Sequence, residues 1–320
     1  MHRPAASHIL LFSPQIRVSQ ATQIQPLPAG SQALSRQRDL WWQLAVIAVF
    51  LGWLYWSILS HLLAQWSNDP NFSHGFFVPL FSLFVLWGDR TRLSTLGLRP
   101  SWTGLFLLAA SLGVLVLGVL GAELFLSRFS LLLVIAALIV LFAGWGYFRA
   151  VLFPLAFLIL MIPIPAIIFN QITFPLQLLA STVASAALPL CGVPVLREGN
   201  IILLPQMALE VAEACSGIRS LLSLLTLAII YGYLMETRMR IRVVLALASI
   251  PIAVAANSLR IVGTGVLIQY WDPGKGEGFF HAFSGWLIFV FSLAMLFLLH
   301  QALRLSLGKE EYSNIGRGGP

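Results

Sequence analysis

Four short stretches of this sequence hold side chains that could do chemistry, and they lie far apart along the chain. Cys215 lies in Glu213-Ala214-Cys215-Ser216-Gly217-Ile218-Arg219-Ser220. The residues before it, Ala208 to Val211, read as extended, and those after it as helical. Cys215 is therefore expected at a helix N-terminus, where unpaired N–H groups and the helix dipole favour an anion. An arginine close by would further lower the thiol pKa and make a nucleophile. A lone cysteine is more often an inert filler of apolar space. Cys191, beside Gly192 and without polar company, reads that way.

Arg260 lies in Asn257-Ser258-Leu259-Arg260-Ile261, with Asn257 three residues before it on the same helix face. An arginine within an apolar helix is costly and points to function, the plainer alternative being a side chain that snorkels to the headgroups. His281 opens an apolar run, with Ser284 and Gly285 on its side of the helix. Gly285 would let another helix come close, while the plainer alternative is an interfacial histidine facing water. His74 sits in Asn71-Phe72-Ser73-His74-Gly75, which also suits a simple helix start. Glu213 and Arg219 flank Cys215 and are expected to pair with each other or to orient the site. Taken together, a cysteine, an arginine and a histidine supply a nucleophile, a cationic stabiliser and a general acid/base. Those are the parts that acyl transfer through a thioester needs.

The elements that must position them are membrane helices. The chain has 320 residues, 58% hydrophobic and only 10% charged, and a mean hydropathy of +0.88. A soluble domain carries about 25% charged residues. Eight apolar runs approach the length of roughly 20 residues that spanning requires. They are Trp41 to Leu63, Phe76 to Trp87, Trp102 to Gly121, Phe129 to Trp145, Val151 to Phe169, Gly217 to Leu234, Val243 to about Ile261, and Ala282 to Leu299. The fold class is thus all-α, a polytopic transmembrane helical bundle. The more polar stretch Gln171 to Leu190 reads as an interfacial or re-entrant helix. Val193 to Pro205 reads as a small hairpin turning near Glu198-Gly199-Asn200.

The net charge of +7 does not indicate nucleic acid, because the basic residues sit in short clusters between apolar runs. Arg36 and Arg38, then Arg90, Arg92 and Arg99, then Arg149, then Arg238, Arg240 and Arg242, and finally Arg304, Lys309 and Arg317 all fall on one side if the count of spans is even. By the positive-inside rule that side is the cytoplasm, and it holds both termini. Cys215, Arg260 and His281 then meet at the outer face. The first 40 residues read as a disordered cytoplasmic extension with no signal peptide, residues 41–300 as the membrane domain, and 301–320 as a cytoplasmic tail, disordered from Gly308. The two cysteines form neither a disulfide framework nor a metal site, and no cofactor is expected.

At these residues the chain resembles the exosortases. The resemblance rests on Asn71 to Phe76 with Val78-Pro79, on Glu213 to Ser220, on Asn257 to Ile261, and on Phe280-His281 through Gly285. Pro163-Ile164-Pro165, Val193-Pro194-Val195 and Gly199-Asn200 add to it, and it runs from about Trp41 to His300. It implies a multi-pass inner-membrane cysteine protease or transpeptidase with its active site at the periplasmic face. Its partners would be exported proteins whose C-terminal sorting signal combines a Pro-Glu-Pro motif, a transmembrane helix and a basic cluster. The acceptor, where transfer replaces hydrolysis, would be a polysaccharide or a lipid-linked group. By resemblance Cys215 is the nucleophile and Arg260 and His281 its partners, with Asn257, Arg219, Glu213 and His74 in support. Which of Arg260 and His281 donates the proton and which holds the oxyanion stays open. Phe72 departs from the tyrosine common before Ser-His-Gly. Only about 20 residues follow His300, so the chain looks like a short form, similar to the cyanobacterial type. The rival readings are a polysaccharide-precursor transporter or flippase, and a non-catalytic scaffold for envelope assembly.

Overall fold

The protein's structure is a computed structural model describing residues 42–43, 45–211, 217–270 and 279–317, with side chains of the last helix described for 285–306. A first helix, Ala45–Leu54 (α1), belongs to a separate compact unit ending at Leu54. The second unit, from Tyr55 on, is an all-α membrane bundle. It begins with α2 (Trp56–Asn68), a 3-10 segment (Pro70–Phe76) and α3 (Phe77–Gly88), then α4 (Arg90–Thr95), α5 (Thr103–Leu120) and α6 (Leu124–Phe142). Next come α7 (Trp145–Ala150), α8 (Leu152–Phe157), α9 (Ala166–Ala187), strands β1 (Leu196–Glu198), β2 (Ile201–Leu203) and β3 (Ala208–Glu210), then α10 (Ile218–Met235), α11 (Met239–Tyr270) and α12 (Phe279–Arg317). Among the described residues, seven helical segments are long and apolar enough to cross a membrane, or eight if α1 and α2 count as one span.

Hydrocarbon gives apolar helices no hydrophobic reason to associate, so small residues and close contact decide the packing. The α5–α6 hairpin illustrates this. A side chain added at Gly104 would strike the Leu141 backbone, and one at Gly118 would lie 2.6 Å from the Ser127 amide. A central cluster of Leu62, Trp66, Phe72, Val78, Phe81, Leu132, Phe157, Met161 and Ile218 ties α2, α3, α6, α8 and α10 together.

The bundle has one basic end. The Arg99 amide donates to the Ala143 carbonyl, and the Trp145 indole to the Thr103 hydroxyl, which brings the turns after α3 and α6 together. The Arg242 guanidinium lies 4.9 Å over the Tyr233 ring, which stacks on Phe153 at 4.8 Å. At the same end Glu236, 7% exposed, accepts from the amides of Thr237 at 2.8 Å and Arg238 at 3.0 Å. Its other oxygen meets His300 Nε2 at 3.4 Å and Arg304 Nε at 3.7 Å. Tyr231 and His300 Nδ1 are 2.7 Å apart and extend the network.

The chain returns to the opposite end between Trp145 and Met161 in three short helical pieces rather than one. The run expected as one span, Val151 to Phe169, is divided by Pro163 and Pro165, whose rings and missing amides end a helix. Ala166–Phe169 therefore open α9. The segment Ala166–Cys191 is long and apolar enough to span, yet both of its ends pack at the end away from the basic clusters. Pro165, Phe169 and Asn170 share a cavity with Gln65, Asp69 and Glu123. At the other end of the segment, Leu188 meets Gly265, and the Ser181 hydroxyl donates to the Gly199 carbonyl at 2.9 Å.

The expected hairpin is present, with Glu198 opposite Ile201 around the two-residue turn Gly199–Asn200, and Gly199 has φ +65°. It gains a third strand, β3, which the extended reading of Ala208 to Val211 anticipated without its pairing to β2. The sheet packs on α9 and on the end of α11 through Ala180, Ala184, Leu188, Ile202, Ile261 and Ile268.

Two helices run past their expected limits. α11 continues ten residues beyond Arg260, about 15 Å. α12 stays helical to Arg317 where a disordered tail was expected from Gly308. Lys309-Glu310-Glu311 are good helix formers, and a single Gly308 does not break the helix.

The Glu236 cluster gives a prediction with a sign. Accepted backbone hydrogen bonds, then His300 and Arg304, hold its carboxyl below the usual carboxylate range. A depressed carboxyl pKa adds stability above the unfolded pKa and loses it as pH falls through the folded one. Glu236→Gln should therefore lower the thermal midpoint of the detergent-purified protein at pH 7. The gap from wild type should shrink as the pH is taken down to about 4 and below. A gap that stayed constant with pH would show that the charge contributes nothing.

Candidate active site

Three of the four sequence blocks meet through described side chains, and the fourth joins them through a backbone position. Asn71, buried in the 3-10 segment, receives a hydrogen bond from Arg219 Nε at 3.3 Å. That contact ties the Asn71-Phe72-Ser73-His74-Gly75 block to the helix that follows the cysteine block. Gly217 caps the start of α10 with φ +83°, a conformation that side chains rarely adopt. A Cβ at Gly217 would lie 3.0 Å from Asn257 Cβ, so the entry to α10 rests on the Asn257 side chain. Asn257 is 2% exposed. Arg260, three residues on, is half-buried, and its Nη1 comes within 3.8 Å of where a Gly285 Cβ would stand on α12. Gly285 is one helical turn after His281.

Cys215, Glu213 and the rest of 212–216 lie outside the described residues, as do the His281 side chain and the 271–278 loop. The described residues thus bracket two of the three expected catalytic positions. Cys215 is two residues before the Gly217 cap, and His281 lies within the helical backbone of α12. Counting from the basic end fixes the depth of the third. Arg240 to Arg260 is 20 residues of α11, about 30 Å, one bilayer core. Arg260 stands at the far boundary of that core, where its charge can reach polar surroundings, and the remaining turns of α11 carry the sheet and α9 above it.

His74 takes a different place from the Arg260–Gly285 contact. It is 8% exposed, and its Nε2 lies 3.2 Å from the Leu160 carbonyl. Beside it the Trp66 indole covers Gly75, where any side chain would collide, and donates to the Met161 carbonyl at 2.9 Å. His74-Gly75 therefore pins the 3-10 segment to the second 3-10 segment, Leu158–Met161. Phe72 is buried with its ring 5.8 Å from that of Phe169. Cys191 is exposed, on the α9 side of the sheet, and its carbonyl accepts from the Tyr270 hydroxyl at 3.1 Å. Asn71 is the contact that sequence reasoning did not single out, because nothing in the spacing says that it reaches Arg219 148 residues away.

Among the described residues no group of three His, Cys, Asp or Glu side chains could hold a metal ion. The arrangement offers a helix entry, a permanent cation and a glycine-lined approach to a third helix, which suits an anionic intermediate held at the membrane boundary.

No curated protein and no solved structure matches the chain. The family model for transmembrane exosortases matches residues 66–298, which takes in all four blocks and the sheet between them. With seven to eight helices fit to cross a membrane, the chain is a multi-pass membrane protein that belongs to the transmembrane exosortase family.

Proposed function

We propose that this protein is a cysteine protease or transpeptidase that cleaves the C-terminal sorting signal of exported proteins, a Pro-Glu-Pro motif followed by a transmembrane helix. The observation that supports it is the meeting of the α10 entry, Asn257 and Arg260 on α11, and Gly285 on α12. In this reading Cys215 attacks the carbonyl at the motif as a thiolate. The new C–S bond gives a tetrahedral oxyanion, and its collapse breaks the C–N bond and leaves a thioester. The leaving amine takes a proton, and water or an acceptor amine then releases the acyl group. Arg260 suits the oxyanion because a guanidinium's charge is permanent, and His281 suits proton delivery because an imidazole can both give and take a proton. The exchange of these two roles is equally compatible with the residue types. Asn257 supports the entry to α10, and Arg219 holds Asn71. The basic end faces the cytoplasm and the site faces the periplasm of the inner membrane.

A transporter would need polar groups along a path through the bundle. The buried hydroxyls of Ser111, Ser249 and Ser292 instead bond carbonyls within their own helices.

The test is co-expression with a protein carrying such a signal, followed by mass spectrometry of its new C-terminus. Cys215→Ala should abolish processing, and Cys191→Ala should leave it normal. Arg260→Lys should lower it by about 10²-fold or more, since an ammonium cannot reproduce the guanidinium fork. Gly285→Leu should be nearly as damaging, because its side chain would displace that guanidinium. Normal processing by well-expressed Cys215→Ala would remove the cysteine mechanism.

Orientation has its own test on intact cells. A single cysteine at Glu198 should react with an impermeant thiol reagent, and one at Arg240 only after permeabilisation. The reverse pattern would overturn the placement of the site.

A further inference from the structure

A cavity of about 430 Å³ lies at the end of the bundle away from the basic clusters, between the end of α2, the start of α6 and the start of α9. Arg128 lines it. The residue is 4% exposed, and its Nε is buried without a hydrogen-bond partner among the described residues. A guanidinium has only donors to offer, and one buried in a membrane helix is costly unless an acceptor of opposite charge meets it. The two carboxylates that share the cavity each cap a helical segment. Glu123 accepts the Leu126 amide at 3.2 Å, and Asp69 accepts the Asn71 amide at 2.9 Å. A carboxylate keeps lone pairs for a further donor after one such bond.

Depth and surroundings select the occupant. α6 is 19 residues long, about 28 Å, which matches one hydrocarbon core. Arg128 lies about 6 Å inside its start, within reach of head-group phosphates. The cavity wall includes Leu124, which is 55% exposed, and Ala166, whose neighbour Ile167 is 73% exposed. On a membrane helix such side chains face hydrocarbon, so the cavity opens towards lipid. Its charges are mixed, one arginine and two carboxylates. A free phosphate, an anionic head group or a peptide carboxylate would suit Arg128 and be repelled by Asp69 and Glu123. A zwitterion suits both sets. Its phosphate can take the guanidinium, with the Gln65 and Asn170 amides as further donors, and a primary ammonium can donate to the carboxylates. A choline has no N–H to give them.

We propose that this cavity holds the head group of a phosphatidylethanolamine from the leaflet at the Arg260 end, its phosphate on Arg128 and its ammonium between Asp69 and Glu123. The inference stands apart from the proposed reaction and holds whichever chemistry the protein performs. The site backs onto the entry to α10. Phe72 and Phe169 line the cavity and belong to the same buried cluster as Ile218, the first residue of α10. Asp69 caps the segment whose Asn71 receives the Arg219 hydrogen bond. A bound head group therefore braces the segment that carries Asn71.

The test uses the full-length protein, purified in detergent and stripped of native lipid. Phosphatidylethanolamine, phosphatidylglycerol and phosphatidylcholine with identical acyl chains are offered in turn, and retention is read by native mass spectrometry. Phosphatidylethanolamine should be retained at about tenfold lower concentration than either of the others, the worth of one charge-assisted hydrogen bond. Asp69→Asn combined with Glu123→Gln keeps both caps, because an amide oxygen accepts the same bonds. That variant should lose the preference, the three lipids binding within about twofold of one another. Arg128→Gln should weaken retention of phosphatidylethanolamine about tenfold or more. Equal retention of the three lipids by the wild type, or a preference that survives the double substitution, would overturn the site. So would soluble phosphoethanolamine or inorganic phosphate raising the thermal midpoint as much as the lipid does, which would place a water-soluble ligand there. Displacement of the lipid by a synthetic Pro-Glu-Pro peptide would assign Arg128 to a peptide carboxylate and equally overturn it.

Discussion

Arg260 carries a charge that hydrocarbon cannot solvate, at a point where α11 has climbed about 30 Å from the basic end. Much of the architecture follows from accommodating it. α11 does not stop there but runs on to Tyr270, so the guanidinium is flanked by helix above and below instead of ending in a loop. α12 presents Gly285, where an added Cβ would lie 3.8 Å from the Arg260 guanidinium. α10 begins beside Asn257 on a glycine in the left-handed region. The cation thus stands where α11 meets α12, one turn along α11 from the Asn257 contact with the entry to α10.

The rest of the bundle serves this meeting point from a distance. At the basic end, the buried Glu236–His300 contact and the Arg242 stack on Tyr233 hold the turn between α10 and α11 to α12. These three helices are therefore fixed together at one end, and their mutual geometry at the other is set by that anchor. At the opposite end the 3-10 segment is fixed twice, by the Trp66 indole over Gly75 and by His74 on Leu160. α9 and the small sheet cover the extended part of α11 through Ile261 and Ile268. In the proposed reaction a cation held inside such a frame would act without solvent reorganisation, which is what electrostatic stabilisation of an oxyanion requires.

Much of this was legible in the residues because membrane helices write themselves in long apolar runs and short basic clusters. The spans, the two ends of the bundle, the hairpin at Gly199 and the extended segment before the cysteine all come from such local signals. The missing pieces depend on packing. Pro163 and Pro165 divide a run that looks continuous by hydropathy, so only their rings mark where α9 begins. The ten extra residues of α11 include Gly263 and Gly265, poor helix formers, and they stay helical with Ile261 and Ile268 covered by the sheet and α9. Asn71 to Arg219 and Gly217 to Asn257 are contacts between distant segments, which no spacing rule encodes.

The proposed reaction makes one species that no transporter or scaffold would form, a thioester between Cys215 and the substrate's new C-terminal residue. Acid quenching of the enzyme during turnover, followed by peptide mass spectrometry, would look for it directly. The cysteine mechanism predicts a substrate adduct on the peptide containing Cys215, released by neutral hydroxylamine and absent from Cys191. Substrate turning over with Cys215 unmodified at every time sampled, or with the adduct on another residue, would contradict it.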